Sequence, residues 1–335
     1  MSAQPSSAGR ARPSGTAQVW AALLTVYIVW GSSYLAIRLA VNPAHGGAVP
    51  PFLLTGIRYV VAGVVMFAFT ARLPSPDGRP DPLGPRQWAS TAVVGITLLV
   101  GGAGLVSLGE RHITSGAAAL VVATVPIWAA VLAATFGIER LDLRTALGIL
   151  TGLVGVGALV AGQGSGRVEP AGVGIVLLSS LSWAGGSVYS RGAPLPSRAL
   201  TATAMEMICG GAGALVTSAA SGELATFHPS KVGLSAWAGV AYLTFAGSLL
   251  AYTAYIWLLD HAAMSLATTY AYVNPLMAVL LGAAALSEPL TWRAGLSAVF
   301  ILSGVALIIT QAGRSSAGKA ALPPGASREE PISPR

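Results

Sequence analysis

Ten apolar runs follow one another along this chain, at about 17–39, 51–71, 88–109, 114–136, 144–162, 170–190, 198–219, 234–259, 264–286 and 292–311. Each is close to the ~20 residues that a helix needs to cross hydrocarbon. Backbone N–H and C=O groups in lipid must be paired within the structure, and runs of this length pair theirs as helices. Only 9% of the 335 residues are charged, against about 25% in soluble domains. A soluble fold of this length could not cover its surface with so few charges. The class expected is an all-α polytopic membrane protein of ten transmembrane helices. The first run is too long for the ~7–15-residue core of a cleaved signal peptide, so it is expected to be retained. Residues 1–16 and 312–335 are rich in Gly, Ser, Pro and charge and are expected to be disordered tails.

The net charge of +7 is distributed as a topology signal, not as a nucleic-acid patch. With the N-terminus inside, thirteen Lys and Arg residues fall on the cytoplasmic side and five (Arg38, Arg111, Arg167, Lys231 and Arg293) on the other, with Arg58 inside a span. That bias places both termini in the cytoplasm and the chain in the cytoplasmic membrane. Cys209 is the single cysteine, which excludes a disulfide framework and a multi-cysteine metal site.

The chain also repeats itself. A shift of 149 positions lays His112 on His261, Pro126 on Pro275, Glu139 on Glu288 and Arg144 on Arg293. These residue types are scarce here, so their agreement in one register is informative where apolar matches are not. Two repeats are expected, over 17–162 and 170–311. Each holds five spans, an odd number, so the second copy must cross the membrane in the opposite sense. Inverted repeats of this kind place a substrate site near the midplane between the halves.

The side chains expected to line that site lie at the span centres. Pro126 and Pro275 each lack an N–H and free the carbonyl one turn back, at Val122 and Ala271. Such carbonyls are tolerated only against protein or a watery cavity. Tyr270 and Asn274 share a helix face with Pro275, and Asn274 both donates and accepts. Trp30, Ser33 and Tyr34 in the first span, Trp183 and Ser187 in the sixth, and Tyr252 in the eighth complete the candidate wall. The competing reading is packing, with small residues for close approach and prolines for kinks. Trp20 and Trp88 suit an interfacial aromatic belt.

Arg58 and Glu206 are the charges well inside spans, at nearly matching positions in the two halves. A charge at mid-membrane costs about 2.5–3.5 kcal/mol on insertion scales, so each is expected to pair or to face water. One reading is a mutual lock between the second and seventh spans. The other makes Glu206 a proton acceptor or Arg58 an anion contact. Glu139/Arg144 and Glu288/Arg293 read as local salt bridges and caps at helix boundaries. His112 and His261 lie at span ends, as surface histidines or as a proton relay. No ligand spacing for a metal occurs, nor do His-Glu-x-x-His, Gly-x-Ser-x-Gly or a phosphate-binding Gly-x-x-x-x-Gly-Lys. Neither metal nor cofactor is expected.

Ser115–Pro126, Ser182–Tyr189 and Thr269–Pro275, with a central proline in the fourth and ninth spans each followed by Glu at the helix end, are similar to a known pattern. Across 17–311 the chain resembles the drug/metabolite transporter superfamily, and within it the EamA-type ten-helix permeases. That resemblance implies a small-molecule permease without an ATP site, often an exporter of amino acids or other metabolites, and no enzyme. Four-helix members of the superfamily use a glutamate in their first helix for proton exchange; the first span here has no acid. The expectation is a secondary transporter working by alternating access, with spans 1, 3, 4, 6, 8 and 9 around the cavity and spans 5 and 10 outside it. The partners expected are a small-molecule substrate and the lipid bilayer, with no nucleic acid; a homodimer is left open. The alternative is a transport-inactive scaffold or regulatory subunit with a permease fold.

Overall fold

The computed structural model describes residues 16–45, 49–70, 83–137, 142–161, 169–262, 266 and 269–320. Among them there are helices and no strands. We number the helices α1 (Thr16–Val41), α2 (Pro51–Thr70), α3 (Pro85–Gly109), α4 (Ser115–Thr135), α5 (Leu143–Ala161), α6 (Pro170–Ser190), α7 (Ala199–Ala220), α8 (Leu234–Tyr242 continuing to Ala251–His261), α9 (Tyr270–Leu286) and α10 (Trp292–Ala320). Seven (α1–α4 and α6–α8) are long and apolar enough to cross a membrane. The apolar helices Leu143–Leu159, Val273–Leu286 and Trp292–Leu307 are shorter.

Most ends agree with the apolar runs within a few residues, and two differ. The ninth helix begins at Tyr270, not near 264. The tenth continues to Ala320, into the stretch whose composition reads as a tail.

Glycine decides the closest approaches. A Cβ on Gly63 of α2 would lie 2.8 Å from the backbone nitrogen of Ile208, and one on Gly211 of α7 would lie 2.7 Å from that of Val60. In the α5–α10 pair, a Cβ on Gly304 would sit 2.5 Å from the Gly148 carbonyl. Backbones meet at these points because no side chain stands between them, the packing that membrane helices favour. The outward faces are apolar: Val64 and Phe69 on α2, Leu150 and Val154 on α5, Val216 on α7 and Val299 on α10 are exposed. Such a girdle suits lipid.

Helix pairing has a pattern. α1 packs on α8 and α9, while α6 packs on α3 and α4; α2 pairs with α7, and α5 with α10. Replacing each helix by the one five places along turns each of these pairings into another in the set.

Three spans depart from plain α geometry. α4 is broken into Ser115–Val122 and Val125–Thr135, with Ala123 and Thr124 as the joint. α9 carries Pro275 without a break. The Thr124 hydroxyl explains part of this difference: it donates to the Val121 carbonyl at 2.6 Å, a local bond that competes with the helical ladder. The corresponding residue before Pro275 is Val273, which has no such donor. α3 and α8 each contain a π-helical stretch, Ile96–Gly104 and Leu243–Leu250, at corresponding places. Ser248 shows the wider register by donating to the Leu243 carbonyl five residues back, at 3.0 Å. π segments widen a helix locally and recur at functional sites.

Candidate functional site

Where these irregular segments meet, a cavity of about 200 Å³ opens between α1, α2, α3, α4, α6, α8 and α9. Trp30, Ser33, Tyr34, Pro126, Trp183, Tyr252, Tyr270, Asn274 and Pro275 all line it. Ser187 does not; its hydroxyl donates to the Trp183 carbonyl in its own helix, at 2.8 Å. Among the described residues α5 and α10 contribute nothing to the lining, whereas α2, not expected there, supplies Arg58 and Tyr59. Val122, whose carbonyl the proline frees, lies on the wall beside Ala123 and Val125, and so does Ala271 at the mirrored place.

One side of the cavity is an aromatic cluster centred on Trp30. Its ring centroid lies 5.2 Å from Tyr252, 5.1 Å from Tyr255 and 5.1 Å from Tyr270, and Tyr255 and Tyr270 are 5.4 Å apart. The Trp30–Tyr252, Trp30–Tyr270 and Tyr255–Tyr270 pairs are edge-to-face, worth about 0.5–1.5 kcal/mol each beyond area burial. The Trp30 indole N–H donates to the Gly247 carbonyl at 3.2 Å, within the π stretch of α8. That bond fixes the ring from outside the cluster. Trp183 also lines the cavity and lies over Gly102, where a Cβ would come within 2.7 Å of its ring.

An amide and a guanidinium stand among the mostly apolar wall residues. Asn274 is 7% exposed, and its Oδ1 has no hydrogen-bond partner among the described residues. Arg58, 6% exposed, donates from Nε to Ser248 Oγ at 2.7 Å, and its guanidinium carbon lies 4.6 Å from the Tyr59 ring centroid. Of the two readings of Arg58 and Glu206, the mutual lock does not form. No ion pair joins them within 4.0 Å; Arg58 turns to α8 instead, and Glu206 is absent from the cavity wall. The hydroxyl of Ser248, presented by the π register, gives the guanidinium a nearer partner.

At the end of the bundle where α1 finishes, a largely buried charge cluster gathers Arg38 and Glu288 beside Glu110. Arg38 Nη1 donates to the carbonyls of Glu110 and, at 2.5 Å, Ile113, while its Nε lies 3.9 Å from Glu288 Oε1. Glu288 in turn accepts from the Ser115 backbone N–H at 3.0 Å, from the Ser115 hydroxyl at 2.8 Å and from the Gly116 N–H at 3.4 Å. It therefore caps the N-terminus of α4 from across the bundle, where carboxylate and helix dipole attract. This corrects the reading of Glu288 as a local partner of Arg293, which lies over the Trp292 ring. The turn responsible is Ser287, at φ 52°, with the Glu288 N–H donating back to the Gly282 carbonyl at 3.1 Å. A left-handed residue ends the helix and sends the next side chain inward. Glu139, the repeat partner of Glu288, and the Tyr272 side chain lie outside the described residues.

Glu110, beside this cluster, was not singled out from the sequence because it stands one residue beyond an apolar run. It is fully buried, and neither carboxyl oxygen has a partner among the described residues. Burial pushes its carboxyl well above the usual range; Arg38 opposes the shift and Glu288 adds to it. The folded protein thus holds this proton more tightly than the unfolded chain. Its contribution to stability is complete below the ordinary Glu value of about 4.3 and is lost as pH rises towards the raised one. Glu110→Gln, neutral throughout, is expected to flatten that loss in melting curves taken from acid to alkaline pH. Equal pH slopes for the two proteins would contradict the assignment.

The histidines stand away from the cavity. His112 Nδ1 meets Glu169 Oε2 at 2.8 Å, and the His261 ring stacks on Trp257 at 4.3 Å. No group of three or more metal-ligating side chains occurs among the described residues.

Comparisons with known proteins agree with this architecture. The chain is 37% identical over 292 residues to YedA of Escherichia coli K12, an uncharacterized inner membrane transporter, covering 87% of this chain and 90% of that one. It is 26% identical to a chloroplastic WAT1-related protein of Arabidopsis thaliana, over 82% of this chain and 65% of the relative. The uncharacterized transporter YoaV of Bacillus subtilis is 22% identical, over 86% and 95%. A solved crystal structure matches with a TM-score of 0.56 at 21% identity, covering 90% of this chain and 99% of its own, which shows a shared fold. The model of the EamA-like transporter family matches twice, over residues 18–161 and 170–310, the two stretches that the helix pairing also relates. This multi-pass membrane protein therefore belongs to the EamA-like transporter family of the drug/metabolite transporters.

Proposed function

We propose that the protein is a secondary transporter that exports a small amphipathic metabolite, of amino-acid size, across the cytoplasmic membrane. The cavity between the helix sets is its binding site, and Trp30, Ser33, Tyr34, Pro126, Trp183, Tyr252, Tyr270, Asn274 and Pro275 are its wall. The observation that carries this reading is the unpartnered Asn274 Oδ1, buried in a cavity walled mostly by aromatic and aliphatic side chains. A buried acceptor without a partner costs about 1–3 kcal/mol, a cost that a solute's N–H or O–H donor would offset. At about 200 Å³ the space is smaller than the roughly 300–1,000 Å³ of drug-sized pockets, which favours metabolites over larger drugs.

Alternating access follows from the same reading. The two repeats are of opposite topology, and both termini are cytoplasmic; the Lys and Arg distribution and the exchange-symmetric helix pairing support this. The Arg38–Glu288–Ser115 cluster then closes the outer end, and its parting opens the cavity outward. Because Cys209 is the sole cysteine, access can be read directly. In a Cys209→Ser background, Ser33→Cys is expected to react with a charged, membrane-impermeant thiol reagent from an aqueous face, and labelling should stop flux. Leu150→Cys, on the outer face of α5, should stay unlabelled. A Ser33→Cys protein that is inert from both faces, or that transports when fully labelled, would refute the cavity as the route.

A further inference from the structure

We propose that Arg58 is an anion anchor and that the solute carries a carboxylate on an apolar body. The inference rests on the reading of the cavity as the transport site and names what that site selects. Arg58 is the one charged side chain among the described residues of the wall. It is 6% exposed, with no carboxylate within 4.0 Å among the described residues. Its only hydrogen bond among them is from Nε to Ser248, and that bond orients the guanidinium without neutralising it. Its other close neighbours are the Tyr59 ring, the Tyr252 side chain and Gly247, where a Cβ would sit 3.3 Å from Nη2. None is an anion. A buried guanidinium so placed is costly unless something of opposite charge comes to it, and its planar fork of donors matches a carboxylate.

Geometry also orients the solute. Gly247 touches both ends of the site: its carbonyl holds the Trp30 indole, and its α-carbon faces the guanidinium. A carboxylate on Arg58 therefore brings the adjoining apolar group against the rings of Trp30, Tyr252 and Tyr270. Asn274 Oδ1 remains to accept from any further donor on the solute.

The test uses matched acid and amide pairs, 3-phenylpropanoate with 3-phenylpropanamide and 4-methylpentanoate with 4-methylpentanamide. Each is titrated against the purified full chain, and the melting temperature is followed, with sodium chloride as the ionic-strength control. A ligand raises the melting point in proportion to RT ln(1 + [L]/Kd). Acids are expected to bind about 10- to 100-fold more tightly than their amides, the range for hydrogen bonds to a charged group. Arg58→Gln should erase that preference, whereas Arg58→Lys, which keeps the charge, should retain part of it. Amides as effective as acids, a preference that survives Arg58→Gln, or no acid shifting the melting point would each overturn the proposal. Failure of the cavity as the transport route looks different: Ser33→Cys then stays inert from both faces or transports when fully labelled, whatever the acids do.

Discussion

Glu288→Ala is expected to be the most destabilising single change in the charge cluster, at about 3 kcal/mol, the lower end of the range for breaking a buried pair. Three donors on Ser115 and Gly116 lose their acceptor, and the Arg38 side chain, 13% exposed, loses its nearest carboxylate. Arg38 still reaches the carbonyls of Glu110 and Ile113, which keeps the loss from being larger. Glu288→Gln retains an acceptor but not the charge, and should cost about 1–2 kcal/mol. Melting of both variants in detergent measures the order. If Glu288→Ala melts with the wild type, the cap across the bundle is not a stabilising contact.

Asn274→Leu should separate stability from transport. Leu places apolar atoms where an unpartnered acceptor is now buried, removing a cost of about 1–3 kcal/mol. The variant is therefore expected to melt at or above the wild-type temperature. Its cavity then lacks the unpartnered amide acceptor for the solute's donor, and transport should fall about tenfold or more, as expected when a binding contact of about 1.4 kcal/mol is lost. Most substitutions that abolish activity also destabilise. A variant that is at least as stable and yet inactive points to the site itself.

Much of this was legible in the sequence because lipid imposes a simple code. Span positions follow from apolar length, and the scarce residues Pro126, Pro275, His112 and His261 fix the repeat register. Aromatic, amide, serine and proline residues at span centres marked ten positions for the wall, and all but Ser187 line the cavity. The features that escaped depend on partners distant in sequence. The π stretches of α3 and α8 have no signature that periodicity detects, yet the one in α8 positions Ser248 and Gly247. Arg58 and Glu206 occupy matching positions and suggested a pair, but the guanidinium found a hydroxyl on α8. Glu288 resembled a local cap until the left-handed turn at Ser287 sent it to α4. The same proline gave a broken helix in α4 and an unbroken one in α9, where Thr124 is exchanged for Val273.

The measurement closest to the central claim is solute exchange in proteoliposomes holding wild-type or Asn274→Leu protein, with protein-free liposomes as background. Exchange of a radiolabelled apolar carboxylate or amino acid is expected well above background for the wild type and near background for Asn274→Leu, at equal amounts of folded protein. Equal exchange by the two proteins would remove Asn274, and with it the cavity, from the transport route. No exchange by the wild type, together with a partner that co-purifies at fixed ratio, would instead indicate a scaffold built on a permease fold.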